Sequence, residues 1–219
     1  MLEDRLLARL GWVLPALTIF LSTVVHIISG DYRAFPFFIS EADYPGLQRI
    51  IFTGGFILTG IAQISLSWRL FQLNKNHTRW YWMHLSLLSG IFVGANLVVM
   101  AFMDMYDHIE IHVATAVNVF QFGLAWGIFT HLAFKDGNQK SKNLRYLSIT
   151  LGFIGFLGMS YAISLGLKEY PEFIDGDWDM AAMQPWINWA APLEYLLAFS
   201  FFLTLYSFES EILPKSKGE

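Results

Sequence analysis

Long stretches without charged residues dominate the pattern of this 219-residue chain. Five stretches contain no Asp, Glu, Lys or Arg, and a sixth contains a single acid, Glu194. Each is close to or longer than the roughly 20 residues that a helix needs to cross about 30 Å of hydrocarbon. The pattern therefore predicts an all-α, polytopic membrane protein with six transmembrane helices in a single domain. The predicted spans are about 10–30, 48–70, 80–103, 108–134, 145–167 and 185–208.

Composition excludes several other classes of protein. The residues are 55% hydrophobic and 15% charged, whereas a soluble domain usually has about 25% charged residues. The chain has no cysteine, which excludes a disulfide framework, a thiolate nucleophile and a cysteine-based metal centre. No lysine lies within a predicted span, so a retinal Schiff base is excluded. A net charge of −4 without basic clusters predicts no nucleic-acid partner.

Basic residues are distributed unevenly between the two sides of the predicted membrane. Arg33, Arg49 and Lys168 fall on one side, and the other eleven fall on the side that carries both termini. By the positive-inside rule, this asymmetry predicts cytoplasmic N and C termini. The pattern predicts an integral multi-pass protein of either the plasma membrane or an endomembrane. The eleven residues are Arg5, Arg9, Arg69, Lys75, Arg79, Lys135, Lys140, Lys142, Arg145, Lys215 and Lys217.

A few polar residues lie at similar depth in different predicted spans. Asn96 lies eight residues before Asp104, about 12 Å below the outer boundary at ~1.5 Å per residue. Glu194 reaches a similar depth, and His26 and His112 lie nearer the boundary. A carboxylate in a membrane helix costs about 2.5 to 3.5 kcal/mol, so it needs partners. We expect Glu194 to meet imidazole and amide groups in a polar cavity of the outer leaflet, or alternatively to act only as a hydrogen-bonding contact between helices.

The predicted start of span four carries further candidate chemistry. Residues 107–110, Asp-His-Ile-Glu, match a capping box, and the positive end of the helix dipole would favour an anionic group such as a lipid phosphate. His108 and His112 share one helix face. With a carboxylate such as Asp104 they are candidate ligands of a divalent metal. The sequence requires no cofactor, and ordinary interfacial hydrogen bonding is the alternative role for these histidines.

Several short motifs, in their order and positions on the spans, resemble the DRAM/FRAG/SFK family. This family comprises six-span eukaryotic membrane proteins related to glycosylphosphatidylinositol (GPI) lipid remodelling and to the N-terminal part of CWH-type cell-wall proteins. The resemblance covers nearly the whole chain. Its motifs are Phe35-Pro36-Phe37-Phe38-Ile39-Ser40, Tyr44-Pro45, Ile51-Phe52, Gly94-Ala95-Asn96, His112-Val113-Ala114 and Leu193-Glu194-Tyr195.

The resemblance implies functional residues and a class of partner. It implies that Asn96, His112 and Glu194 are the family's intramembrane polar set. The corresponding motif of the external loop is Pro36, Ile39, Ser40 and Pro45. The implied partners are membrane lipids, and the implied processes include GPI-anchor remodelling, control of lipid distribution and autophagy.

Three functions remain open on the sequence. The first is lipid handling through an outer-leaflet polar cavity formed by Asn96, His112, Glu194, His26 and His108. The second is an intramembrane lipid hydrolase or acyltransferase, in which Glu194 or His112 acts as general base with or without a metal. The third is a non-catalytic scaffold or subunit, which would form a helix-mediated oligomer or bind another membrane protein.

Overall fold

The computed structural model describes residues 2–76, 78–134, 138–171 and 179–212. Within these ranges the chain forms helices and no strand, which confirms the predicted all-α class. Six of the helices, α1 to α6, are long and apolar enough to cross a membrane. Lys135, Lys215 and Lys217 of the predicted charge asymmetry lie outside the described residues. The helices are α1 Leu2–Ser29, a 3₁₀ helix Ile39–Ala42, α2 Leu47–Asn74, α3 Trp80–Phe102, α4 Ile109–Ala133, α5 Gln139–Glu169, α6 Gln184–Ser207 and α7 Glu209–Ile212.

Two of the helices begin well before the charge-free stretches that predicted them. The helix α1 starts at Leu2 and α5 starts at Gln139, because Lys and Arg are good helix formers and do not interrupt a helix outside the hydrocarbon. The start of α5 is also capped, since the Asn138 side chain accepts hydrogen bonds from the amides of Lys140 at 2.9 Å and Ser141 at 3.4 Å.

The six long helices form a ring in chain order. Each helix packs against the next along the chain, and α6 closes the ring by packing against α1. We call the end that carries residues 30–46 and 103–108 the loop end. The opposite end, where α1 begins and α7 lies, is the terminal end. Because the ring surrounds a central space, side chains from several helices face one another inside it.

Two pairs of helices approach closely at glycines. A Cβ atom added at Gly94 of α3 would lie 2.6 Å from the carbonyl oxygen of Gly60 in α2. A Cβ atom at Gly155 of α5 would lie 2.8 Å from the carbonyl oxygen of Leu193 in α6. No side chain fits at such distances, so the absence of a side chain allows the helix backbones to touch.

The outer face of the ring exposes large apolar side chains. Phe20, Ile28, Leu58 and Leu157 are each more than half exposed, and they lie on three helices, α1, α2 and α5. Exposed apolar surface of this extent is unfavourable in water but suits contact with lipid.

Candidate functional site

A central cavity lies inside the ring. Its walls are mainly apolar and come from α1, α2, α3, α4 and α6 and from the 3₁₀ helix. Along α4 it extends from His112 to Trp126, fourteen residues or about 21 Å at ~1.5 Å per residue. A few polar side chains interrupt the apolar walls. They are Ser40, His112 and Glu194 toward the loop end, and Gln63, Trp126 and Thr204 toward the terminal end.

Glu194 contacts the loop between α1 and α2 rather than the polar side chains predicted to be its partners. Its Oε2 atom accepts a hydrogen bond of 2.7 Å from the backbone amide of Ile39, the first residue of the 3₁₀ helix. The side chain is buried, with 7% of its surface exposed. The expected hydrogen bond to Asn96 or His112 is not formed among the described residues, because the loop inserts its own backbone donor beside the acid. Glu194 and His112 nevertheless line the same cavity.

His112 has a fixed orientation and one free ring nitrogen. Its Nδ1 lies 2.6 Å from the carbonyl oxygen of Met103, and since a carbonyl can only accept, Nδ1 carries the proton. Nε2 therefore holds the lone pair in the neutral ring. Nε2 is buried and has no hydrogen-bond partner within the described part of the chain. His112 lines the cavity, and Nε2 is its ring nitrogen without a partner.

Asn96 forms a contact between helices away from the cavity. Its Nδ2 donates to the carbonyl oxygen of Phe92 at 2.9 Å, and its Oδ1 accepts from Asn118 Nδ2 at 3.1 Å. Both sides of its amide are therefore engaged by α3 and α4. In this arrangement Asn96 joins two helices, and it is not among the cavity-lining residues.

His26 and His108 also lie away from the cavity wall. His26 is almost fully buried, and its ring packs edge-on against Phe37 with ring centres 5.2 Å apart. Tyr44 contacts the same ring at 5.9 Å. His108 is exposed at the start of α4. Neither histidine joins His112 in a shared polar group.

The side chains predicted to bind a metal do not come together. Among the described residues, no group of three or more His, Cys, Asp or Glu side chains is arranged to hold a metal ion. Asp104 Oδ1 instead accepts the amides of Tyr106 and Asp107, each at 2.9 Å, and lies 3.3 Å from Arg49 Nη2. Burial acts to raise the pKa of Asp104, but these amides and Arg49 lower it below the ordinary value.

The predicted capping box at the start of α4 is wrong. The N-cap residue is His108, which makes no side-chain capping bond. The acid that engages free amides in this region is Asp104, three residues before Asp107, and it stabilises the turn that precedes the helix.

The four residues of the external-loop motif are held at the loop end of the bundle. Pro36 follows a cis peptide bond, and its carbonyl accepts a hydrogen bond of 3.0 Å from Gln184 Nε2. Ile39 donates to Glu194, and Ser40 lines the cavity. Pro45 accepts a weak hydrogen bond of 3.4 Å from Gln48 Nε2 through its carbonyl. The motif therefore positions the loop over the cavity.

A charged cluster fixes the same loop. Glu41 accepts hydrogen bonds from Arg33 Nη2 at 3.1 and 3.2 Å and from the Phe38 amide at 3.0 Å. Arg33 also donates to Gln184 of α6. Burial raises the pKa of Glu41, although the Phe38 amide and Arg33 act in the opposite direction. The Tyr106 hydroxyl donates to the Glu41 carbonyl at 2.9 Å, and burial raises the pKa of Tyr106.

Sequence reasoning gave no functional role to two groups of buried polar residues. Gln63 and Trp126 line the far end of the cavity, and nothing in their local sequence distinguishes them from packing residues. Arg145 was counted among the basic residues of a loop, but it is fully buried and paired with Glu211 at 2.8 Å. A search for polar residues near the ends of the charge-free stretches would have found Arg145.

The fold and composition define an integral multi-pass membrane protein. The family described as Frag1/DRAM/Sfk1/Cwh43P N-terminal domain matches residues 5–215. The chain belongs to this family, which confirms the resemblance inferred from its motifs. No significant match is found among curated proteins or among solved structures.

Proposed function

We propose that the chain handles membrane lipids by binding a lipid in the central cavity. The observation that carries this proposal is a long apolar cavity with the unpartnered Nε2 atom of His112 in its wall. Apolar walls of about 21 Å suit an acyl chain or another elongated apolar group. Family membership supports a role connected with lipid organisation, including GPI-lipid remodelling.

The loop end would receive the polar part of that lipid. His112 Nε2 can accept a hydrogen bond from a hydroxyl or amide, and Ser40 lies in the same wall. Glu194 already accepts the Ile39 amide through Oε2, so its main contribution would be to hold the loop in place. A head group bound there would lie beneath the 3₁₀ helix.

A second candidate function is lipid hydrolysis or acyl transfer. The specific observation that favours it is the fixed tautomer of His112, with Nδ1 bound to Met103 and a lone pair on Nε2. A general base needs such a lone pair within reach of the proton it takes. Here Nε2 would accept the proton of a water or alcohol as that oxygen attacks an acyl carbonyl. Collapse of the tetrahedral intermediate would break the acyl C–O bond of the ester, and the protonated ring would return the proton to the leaving lipid alcohol.

Lipid occupancy of the cavity is tested by a pair of substitutions on α4. Ala116 lines the cavity, whereas Ala114 is exposed on the outer face of the same helix. Ala116→Phe should lower the amount of bound lipid several-fold, and Ala114→Phe should leave that amount unchanged. Native mass spectrometry after detergent exchange measures the bound lipid. Equal lipid content in both variants would contradict the proposal.

The enzymatic candidate needs a separate measurement. Purified protein is incubated with phospholipid and GPI-lipid substrates, and released acyl products are followed by mass spectrometry. His112→Gln should abolish turnover if Nε2 is the base, while lipid remains bound. Absence of product from the wild-type protein would leave lipid binding without chemistry as the function.

A further inference from the structure

Two residues that line the cavity far from His112 each carry an unpartnered, buried polar atom. The atoms are Oε1 of Gln63 on α2 and Nε1 of Trp126 on α4. The side chains are almost fully buried, with exposed fractions of 4% and 2%. Neither atom has a hydrogen-bond partner among the residues that the structure describes. A buried donor and a buried acceptor that remain unpaired call for a specific explanation.

Gln63 and Trp126 occupy the same depth in the bundle. Gln63 lies sixteen residues after the start of α2, and Trp126 lies seventeen after the start of α4. Both helices run from the loop end, which places the two residues about 24 and 26 Å from it at ~1.5 Å per residue. They therefore lie near the terminal end of the cavity.

The neighbouring helix shows that these two residues also lie near each other. A Cβ atom added at Gly90 would meet the Ser67 hydroxyl on one side and Trp126 Cε2 at 2.6 Å on the other. Cε2 is bonded to the unpartnered Nε1. The Ser67 hydroxyl donates to the carbonyl oxygen of Gln63 at 2.7 Å. Gly90 thus brings the polar edge of the indole against the segment of α2 that carries Gln63.

The hydrogen-bonding capacity of the two atoms limits the kinds of ligand group that could pair with both of them. An indole N–H can only donate, and the Oε1 atom of glutamine can only accept. A hydroxyl does both. An ether or ketone would leave Gln63 Oε1 unpaired, and an ammonium would leave Trp126 unpaired. Thr204, the third polar side chain at this end, already contacts the Ser148 hydroxyl at 2.7 Å.

We infer that Gln63 and Trp126 form a binding site for the hydroxyl group of a lipid whose apolar body fills the cavity toward His112. This inference rests on the proposed lipid-binding function and specifies the chemical class of its ligand. The preferred ligand is an elongated lipid that carries a hydroxyl at the end inserted into the bundle.

The test compares two isomeric probes on the full-length, delipidated protein. The first probe is 1-hexadecanol, and the second is methyl pentadecyl ether, which has the same atoms but no hydroxyl donor. Displacement of tritiated 1-hexadecanol gives both affinities. We expect the alcohol to bind about tenfold more tightly than the ether, the difference that about one further hydrogen bond provides.

Two variants and two matched controls assign the preference to the site. Gln63→Leu should bring the affinity for the alcohol down to that for the ether, because it removes the acceptor that only the alcohol can use. Trp126→Phe removes a donor that both probes accept, so it should weaken the binding of both probes by similar factors. Gln121→Leu and Trp80→Phe change exposed residues of the same types and should retain the tenfold preference. Binding of the ether shows that each variant is folded.

The outcomes separate this inference from the proposed function. Equal affinity of the two isomers for the wild-type protein would overturn the hydroxyl site, since water alone would then satisfy the two atoms. Lipid binding would still stand in that case. If neither probe binds and Ala116→Phe changes no bound lipid, the proposed function fails, and the hydroxyl site fails with it. The wild-type comparison decides the question even if a variant does not fold.

Discussion

Glu194 Oε2 accepts a 2.7 Å hydrogen bond from the backbone amide of Ile39, 155 residues earlier in the chain. The acid lies within α6, and the amide begins the 3₁₀ helix of the loop between α1 and α2. A buried carboxylate that accepts a backbone amide is stabilised by that hydrogen bond. The contact therefore explains how a membrane helix tolerates an acid, and it ties the loop to the cavity wall.

Removal of the acceptor at Glu194 should loosen the loop. Glu194→Leu leaves the Ile39 amide without a partner, which costs about 1 to 3 kcal/mol. Glu194→Gln keeps a side-chain oxygen that can accept the same bond, so it should preserve most of the protection of the loop amides against hydrogen exchange. Hydrogen exchange measured across residues 36–44 tests both variants. Equally fast exchange in both would show that charge, rather than the acceptor oxygen, holds the loop.

The close approach of α2 and α3 makes Gly94 sensitive to any side chain. Gly94→Ala would place a methyl group 2.6 Å from the Gly60 carbonyl oxygen, which must push the helices apart. We expect a loss of about 1 to 3 kcal/mol in the free energy of unfolding. Gly54→Ala is the matched control, since its Cβ would meet nothing within 4 Å. Reversible unfolding in detergent mixtures measures both, and equal stability of the two variants would contradict the packing argument.

Charge patterning was sufficient to predict the six long helices, because hydrocarbon excludes unpaired charges so strongly that each span appears as a charge-free stretch. The free-energy cost of a charged group in hydrocarbon also identified Glu194 as a residue of its span that needs a partner. Its partner Ile39 could not be predicted, since a backbone amide carries no residue-specific signal and the loop conformation decides which amide approaches. The local sequence also did not identify Asp104 as the acid that engages the free amides before α4, because several neighbouring acids can engage the same amides.

Gln63 and Trp126 illustrate another limit of sequence reasoning. Glutamine and tryptophan are common near membrane interfaces and in helix contacts, so their presence does not indicate a cavity. Only the arrangement of the helices around a central space shows that their polar atoms lack partners. The central space depends on how side chains from five helices pack together. The sequence periodicity of a single helix therefore does not predict it.

The loop between α1 and α2 should give the protein a pH-dependent stability through Asp43. Its side chain is fully buried, and burial raises its pKa from 3.8 to about 7, with Arg49 opposing and Asp104 reinforcing the shift. Because the folded state holds the proton more tightly, the stabilising contribution is fully present below pH 3.8. It declines as the pH rises and is lost above about pH 7.

The substitution Asp43→Asn should remove this part of the pH dependence, since the amide does not titrate. Thermal unfolding midpoints of the wild-type protein should fall between pH 5 and pH 8, and those of the variant should vary less. An identical slope for both proteins would show that Asp43 does not retain its proton in the folded loop.

The buried pair Arg145 and Glu211 should anchor the short helix α7 at the terminal end. Arg145 Nη2 lies 2.8 Å from Glu211 Oε1, and their side chains are 0% and 4% exposed. Arg145→Met leaves a buried carboxylate without its cation, which costs about 3 to 5 kcal/mol. The double variant Arg145→Met with Glu211→Leu removes both charges and should recover much of that loss, because a buried apolar pair is often as stable as an ion pair.

An exposed ion pair supplies the control, and its acid, Glu209, lies on the same short helix α7. Arg9 Nε lies 3.8 Å from Glu209 Oε1, and the Arg9 side chain is 60% exposed. Solvent screens this contact, so Arg9→Met should cost less than about 1 kcal/mol. Unfolding free energies of the four proteins test the argument. If Arg145→Met and Arg9→Met cost the same, burial does not distinguish the two ion pairs. If the double variant is no more stable than Arg145→Met, the loss comes from packing rather than from an uncompensated charge.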